Sequence, residues 1–200
     1  MKKQLFSFGV LFSSVMLFSC NNDGTSSDGT DTSTTGTTTT TMDTGTNAST
    51  MGGANNVGET DRTFMMEAAS GGMMEVEAGR LAQQSATHSR VKSFGNMMVQ
   101  DHTNANNELK ALASTKNVML PDSMMAKHRE HIDMLKAKTG KEFDRAYMGM
   151  MVTDHNEDVN KFQVASNNAA DADLKAFATK TLPVLRGHLD SAKAINNIIK

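Results

Sequence analysis

The region from Glu59 to Lys200 has the composition of a helical domain and contains prolines only at positions 121 and 183. Ala, Met, Leu, Lys and Glu dominate it, while β-branched residues are sparse, and this balance favours helices over strands. Between Ser89 and Thr115, the apolar residues recur in steps of three, four and seven, as on one face of an α-helix. We therefore predict an all-α fold for this region.

Capping and breaking residues divide the region into five predicted helices, which span about residues 60–86, 89–115, 121–139, 141–169 and 172–199. Asp61 suits the N-cap of the first helix, and Pro121 suits the first turn of the third. Gly140 suits a C-terminal cap, and Pro183 is expected to kink the last helix. Long helices with short connections predict a ferritin-like, antiparallel four-helix bundle, in which the third and fourth segments form one broken helix.

The first 58 residues differ sharply from the rest. Residues 1–19 have the features of a lipoprotein signal peptide, since Lys2 and Lys3 precede an apolar run too short to span a bilayer comfortably. The run ends in Leu-Phe-Ser-Cys, which resembles a bacterial lipobox and implies that Cys20 is acylated; an ordinary secretory signal is the alternative. Residues 21–58 are mainly Thr, Ser, Gly, Asn and Asp and are expected to form a disordered linker.

These features predict three parts: a signal peptide (1–19), a lipidated cysteine with its linker (20–58) and a helical bundle (59–200). The expected location is the bacterial cell envelope, at the outer membrane or its periplasmic face, with the lipid anchor as the membrane contact. Cys20 is the only cysteine, so an intramolecular disulfide is excluded. A net charge of −2 gives no electrostatic footprint for nucleic acid.

Catalytic signatures are not evident in the sequence. No Ser-His-Asp nucleophile motif occurs, and the Gly-Gly pairs at 52–53 and 71–72 lack the lysine of a phosphate-binding loop. A binding module is therefore favoured over an enzyme, and nothing in the sequence identifies a protein partner.

A six-residue pattern occurs twice, 53 positions apart. Residues 97–102 read Met-Met-Val-Gln-Asp-His, and residues 150–155 read Met-Met-Val-Thr-Asp-His. Both copies lie in predicted helices, the second and the fourth. The repeat indicates two related helices, which either contribute to a paired site or pack in the same way.

Three predicted helices each place one histidine in the core-facing stripe: His102, His155 and His188. On the first helix, the corresponding stripe passes through Glu75. One glutamate and three histidines from four helices are a suitable ligand set for a metal inside a bundle. The alternative is a hydrogen-bonded packing core that binds nothing.

Other residues flank the two repeated histidines. Met98 and Met151 lie four residues before them on the same face, and a thioether with an imidazole suits copper. The 17 methionines nevertheless suit adaptable core packing equally well. Asp101 and Asp154 lie about 100° round the helix, where they could orient imidazoles across helices, and Tyr147 joins the same stripe. The cofactor is therefore predicted only as a possible transition-metal ion: copper, zinc or iron.

Several segments together resemble the bacterial envelope family called domain of unknown function 4142, over about residues 60 to 197. The segments are residues 75–82, 98–102, 140–147 and 182–189, together with Phe64, His155 and Phe177-Ala178. The resemblance implies an exported, often lipid-anchored ferritin-like bundle without an established activity. Family-typical positions matched here are Glu75, Asp101, His102, Asp144, Tyr147, His155 and His188.

The chain departs from true ferritins in its ligand set. A di-iron carboxylate site needs Glu-x-x-His on two helices and two further glutamates, which this sequence does not provide. Three hypotheses remain for the folded part: a binding or stress-related module, a metal-binding or redox protein, and a structural or interaction module of the envelope. They are distinguished by whether the three histidines and Glu75 converge.

Overall fold

The computed structural model describes residues 57–199, which form five α-helices. These are α1 (Glu59–Ser85), α2 (Ser89–Thr115), α3 (Ala126–Lys136), α4 (Gly140–Asn168) and α5 (Ala172–Ile198). The predicted all-α bundle of five helical segments is confirmed, and four of the helices match their predicted limits to within one residue at each end. The predicted signal peptide, Cys20 and nearly all of the predicted linker lie outside the described residues.

Hydrogen bonds at the two ends of the bundle define its topology. The backbone amide of Thr87, just after α1, donates to the carboxylate of Asp144 near the start of α4 (3.0 Å). At the opposite end, the backbone amide of Asp171, the N-cap of α5, donates to Asp61 near the start of α1 (2.9 Å). The Asp171 carboxylate also pairs with Lys116, just after α2 (2.7 Å). The neighbouring pairs α1–α4 and α2–α5 therefore run antiparallel, as predicted, whereas α1 and α5 begin at the same end of the bundle.

Asp61 and Gly140 have roles other than the predicted ones. Asp61 is not the N-cap of α1, which is Gly58; instead its buried carboxylate joins α1 to the start of α5. Gly140 does not close α3 but begins α4, with a φ of +62° that glycine adopts at little cost. A tertiary contact thus explains the position of Asp61, and a chain reversal explains that of Gly140. Local capping explains neither.

Helix α3 is shorter than predicted and lies beside α4 rather than in line with it. It begins at Ala126, not Pro121, where the preceding backbone amide of Met125 donates to the hydroxyl of Ser70 on α1 (2.8 Å). His131 of α3 lies 3.6 Å from Asp154, which is half-way along α4. The third and fourth segments therefore do not continue one another, because α3 folds back over α1 and α4.

Helices α1 and α2 approach most closely where Gly79 faces Gly95. A Cβ atom at Gly79 would lie 2.6 Å from the carbonyl oxygen of Gly95, and one at Gly95 would lie 2.7 Å from the Cβ of Ala82. Both positions therefore require glycine. The close crossing lies one turn from Glu75 on α1 and two turns from His102 on α2, and it holds these two side chains within reach of each other.

The buried apolar side chains form two clusters, one towards each end of α2 and α4. Towards one end of α2 and α4, Met98 and Met151 belong to the first cluster; towards the other end, Leu109 and Phe162 belong to the second. On each of these helices a histidine falls between the two clusters. The core thus contains a buried polar layer at mid-length. In residues 57–199, no helix is both long and apolar enough to span a bilayer.

Candidate metal centre

Three histidines from three helices meet in the polar layer. The ring centroids of His102 and His155 are 5.6 Å apart, and each lies 5.3 Å from that of His188. One nitrogen of each ring lies within 4.8 Å of the corresponding nitrogens of the other two. All three residues are buried, with 5%, 0% and 3% of their surface exposed. The sequence prediction that they share one depth of the core agrees with this placement.

The outer nitrogen of each ring lies within hydrogen-bond distance of an oxygen atom. His102 Nδ1 lies 2.7 Å from Glu75 Oε2, and His155 Nδ1 lies 3.0 Å from the carbonyl oxygen of Met151. His188 Nε2 lies 2.8 Å from Asp101 Oδ2. Because the Met151 carbonyl and the Asp101 carboxylate accept, His155 Nδ1 and His188 Nε2 carry the proton in a neutral imidazole, and His102 Nδ1 does so when Glu75 is ionised.

The inner nitrogens consequently carry lone pairs that face one another. His155 Nε2 and His188 Nδ1 are 3.3 Å apart, and His102 Nε2 is buried with no hydrogen-bond partner among the described residues. Two facing lone pairs repel unless a proton or a cation lies between them. In a tetrahedral site with metal–nitrogen distances of about 2.0–2.1 Å, two ligand nitrogens are about 3.3 Å apart. The separation between His155 and His188 matches this value, and three convergent imidazole nitrogens are a suitable donor set for a transition-metal ion.

The electrostatic environment keeps these rings neutral. Burial lowers the pKa of His102 to about 4 and lowers that of His155 well below its usual value, with His102 and His188 adding to the effect. Burial also lowers the pKa of His188, although its hydrogen bond to Asp101 opposes this. Neutral imidazole is the form that binds metals, so the rings need not release protons for binding near neutral pH.

Glu75 links two of the three rings. It is 1% exposed; besides binding His102, it places Oε1 3.5 Å from His155 Nδ1. Within residues 57–199, this Oε1 has no hydrogen-bond partner. Burial raises the pKa of Glu75 well above its usual value, and the neighbouring Asp154 charge raises it further. Glu75 thus lies beside the outer nitrogens of two imidazoles, where it can orient the rings, rather than in the position of the fourth ligand that the sequence predicted.

Asp158 belongs to the site but was not predicted. Burial, followed by the charge of Glu75, raises its pKa well above the usual value, and it lines the same cavity as Glu75 and His102. The sequence carried a signal for it, since Asp158 follows His155 by three residues and therefore lies on the same helical face.

The two aspartates of the repeat have different partners. Asp101 crosses from α2 to hold His188 of α5, which is the interhelical role predicted for it. Asp154 instead lies near His131 of α3, at 3.6 Å, and its other oxygen is buried without a hydrogen-bond partner in the described part of the chain. The structure therefore groups Asp101 with the three histidines and places Asp154 at the side covered by α3.

The predicted methionines and tyrosine line the core around the histidines. Met98 and Met151 are both fully buried, and Met151 contacts His155 through its backbone carbonyl. Tyr147 is also fully buried, burial raises its pKa, and its hydroxyl has no hydrogen-bond partner in residues 57–199. Phe94 packs edge-on against both Tyr147 and His155, with ring centroids 6.2 and 6.3 Å apart. These residues form an apolar wall on one side of the site.

A small cavity of about 40 Å³ adjoins the other side of the site. His102 and His188 line it, together with Glu75, Asp101 and Asp158. The site thus has a closed side and a side with space, and polar groups lie next to two of the imidazoles on the side with space.

The comparison with protein families identifies one match. The model of a family described as a domain of unknown function (DUF4142) matches residues 46–195. A comparison with curated proteins finds no match.

Solved structures with a similar fold include two different proteins. The crystal structure of a DUF305 fragment from Deinococcus radiodurans is 9% identical, with a TM-score of 0.63 over 71% of this chain and 98% of that chain. CopM in its Cu(II)-bound form is 16% identical, with a TM-score of 0.60 over 70% and 97% of the two chains. CopM in its Cu(I)-bound form is 17% identical, with a TM-score of 0.57 over 67% and 93%. At these identities the similarity shows the fold alone.

Proposed function

The chain belongs to the DUF4142 family, and we propose that its helical bundle binds one transition-metal ion through His102, His155 and His188. One observation carries this proposal. Three buried imidazoles from three helices each bind an acceptor with the outer nitrogen and turn the inner nitrogen towards the other two. Oxygen atoms that hold the far nitrogen of a ligating histidine are the usual support of a protein metal site.

A packing core without a ligand is the competing function, and the polar contacts argue against it. Such a core would pair each buried donor with an acceptor, because a buried polar atom without a partner costs about 1–3 kcal/mol. Here the inner nitrogens of His155 and His188 meet as two acceptors, while that of His102 meets no partner among the described residues. A cation at their point of convergence would satisfy all three.

Copper is the first metal to test. Imidazole ligands suit copper, zinc, nickel and iron, and among the divalent first-row ions Cu²⁺ generally binds most tightly to a given site. The fold is similar to that of CopM, whose structures include Cu(II)-bound, Cu(I)-bound and silver-bound forms, and this similarity also supports testing copper first. Zinc is the alternative, because it accepts three imidazoles with equal ease.

Elemental analysis and calorimetric titration with copper, zinc, iron and manganese test the proposal. We expect one equivalent of copper to bind the wild-type protein and none to bind the His102→Ala/His155→Ala double variant with comparable affinity. His131→Ala is the matched control, because this histidine lies on α3 and pairs with Asp154 instead of the cluster. Absence of stoichiometric binding, or binding that the double variant retains, would contradict the proposal.

Asp101 is expected to support the metal indirectly. Asp101→Ala removes the acceptor that holds His188 Nε2, and loss of such a contact typically weakens metal affinity about 10–100-fold. Asp101→Asn keeps an acceptor oxygen and should recover part of the loss. The measurement is competition with a chelator of known affinity. Asp190→Ala, on the exposed side of α5, provides the control and should leave the affinity unchanged; an equal effect of both alanine variants would refute the role of Asp101.

We further propose that the bundle acts at the bacterial cell envelope, held there by a lipid on Cys20. The support comes from the sequence alone: a basic start, a short apolar run and a lipobox-like ending. Cys20→Ala should move the protein from the membrane fraction to the soluble fraction after cell lysis, as followed by immunoblotting. If the variant stays in the membrane fraction, the anchor does not depend on Cys20.

A further inference from the structure

The cavity beside His102 and His188 is large enough for a small ligand. Its volume is about 40 Å³, and one water needs about 10–15 Å³ on this measure. There is thus room for a ligand of about one to three non-hydrogen atoms. Asp101 and Val184, which is 44% exposed, also line it, so its outer end lies at the surface between α2 and α5. A ligand could therefore reach the histidines from solvent.

Polar side chains from three helices supplement the histidines in this cavity. Asp101 and Asn106 come from α2, Asp158 from α4 and Thr181 from α5. Asn106 is able to lie there because α1 has no side chain at Gly72, where a Cβ atom would lie only 2.1 Å from the Asn106 Oδ1. The lining of the cavity is otherwise mainly apolar, so these polar groups and the histidines are the ones that a small ligand would meet.

We propose that this cavity holds an exchangeable ligand from solvent, either water or a small anion, which completes the coordination of the metal. This inference rests on the proposed metal site. A metal held by three histidines would keep at least one coordination position open, because zinc and copper(II) both take four or more ligands. The open side does not face Phe94, which packs edge-on against His155. It faces the cavity, which His102 and His188 both line. The ligand class is therefore limited by size to small inorganic species.

Azide is the probe for this proposal, applied to the full-length protein loaded with one equivalent of copper(II). We expect saturable binding, seen as a new azide-to-copper charge-transfer band and a change in the electron paramagnetic resonance spectrum. Imidazole, a ring of five atoms, should bind at least about tenfold more weakly, because the cavity does not accommodate it. The absence of any azide response, or equal binding of azide and imidazole, would overturn the proposal.

A pair of substitutions on α2 locates the binding. Ala105→Leu fills the cavity that Ala105 lines, whereas Ala111→Leu adds the same atoms on an exposed face of the helix. We expect Ala105→Leu to take up copper as before but to bind azide at least about tenfold more weakly, and Ala111→Leu to match the wild type. Unchanged azide binding by Ala105→Leu would overturn the cavity as its location. If Ala105→Leu does not fold, the comparison of azide with imidazole in the wild-type protein decides whether the ligand binds in the cavity.

The two proposals fail in different ways. If the wild-type protein takes up no copper, the metal site itself is wrong and the ligand proposal falls with it. If copper binds with the expected stoichiometry and azide has no effect, only the exchangeable position is wrong, and the three histidines then form a closed site.

Discussion

We expect copper at about one hundred times its dissociation constant to stabilise the folded protein by about 2.7 kcal/mol. The reason is that the three ligand nitrogens converge only in the folded bundle, where they come from α2, α4 and α5. For a domain of this size the stabilisation corresponds to a rise of roughly 10 °C in the unfolding temperature. Circular dichroism at 222 nm during heating, with and without copper, measures it.

Two variants separate this effect from unspecific binding. The His102→Ala/His155→Ala variant should show no copper-dependent rise, whereas His131→Ala should show the full rise, because His131 lies outside the cluster. Zinc should produce a smaller rise than copper at equal concentration, in line with the general order of affinities for divalent ions. A rise of equal size in the double variant would place the bound metal elsewhere.

The periodicity of apolar residues was sufficient to predict α1, α2, α4 and α5 and the core-facing position of the histidines on three of them. The limits of α2 were predicted to the residue, because a helical stripe and its ends are local properties of the chain. The same stripe placed His102, His155 and His188 in the core, where all three are found. The buried face of a helix and the position of a residue along that helix can therefore be predicted from the sequence.

Contacts between segments that are distant in the sequence could not be predicted from this periodicity. Helix α3 begins where the Ser70 hydroxyl accepts from the Met125 amide and lies 2.6 Å from His128 Nδ1, and these contacts join residues more than fifty positions apart. Local signals at Pro121 favoured an earlier start, but tertiary contacts determined the observed one. The position of α3 beside α4 follows from the same contacts.

The repeat shows why the surroundings of the histidines were harder to predict than the histidines themselves. Asp101 and Asp154 are equivalent in sequence, yet Asp101 meets His188 while Asp154 meets His131. The difference arises because α2 neighbours α5, whereas α4 is covered by α3. Equivalent residues on related helices thus acquire different partners, and only the packing of the whole bundle assigns them.

The crossing of α1 and α2 gives a second prediction with a large effect, a destabilisation by Gly95→Ala of about 1–3 kcal/mol. The new methyl group would lie 2.7 Å from the Cβ of Ala82 and 2.8 Å from the carbonyl oxygen of Gly79, and neither can move without separating the helices. Urea unfolding followed by circular dichroism measures the change in the free energy of unfolding.

Gly187→Ala is the matched control, because a Cβ at this exposed position of α5 would meet nothing within 4 Å. It should stabilise the protein by about 1 kcal/mol, since alanine is the better helix former, so the two identical substitutions are expected to act with opposite sign. Separation of the helices should also draw Glu75 away from His102, which are 2.7 Å apart, and thereby weaken copper binding in Gly95→Ala but not in Gly187→Ala. Stabilisation by both substitutions would mean that α1 and α2 do not meet at Gly79 and Gly95, and that the crossing does not position Glu75 against His102.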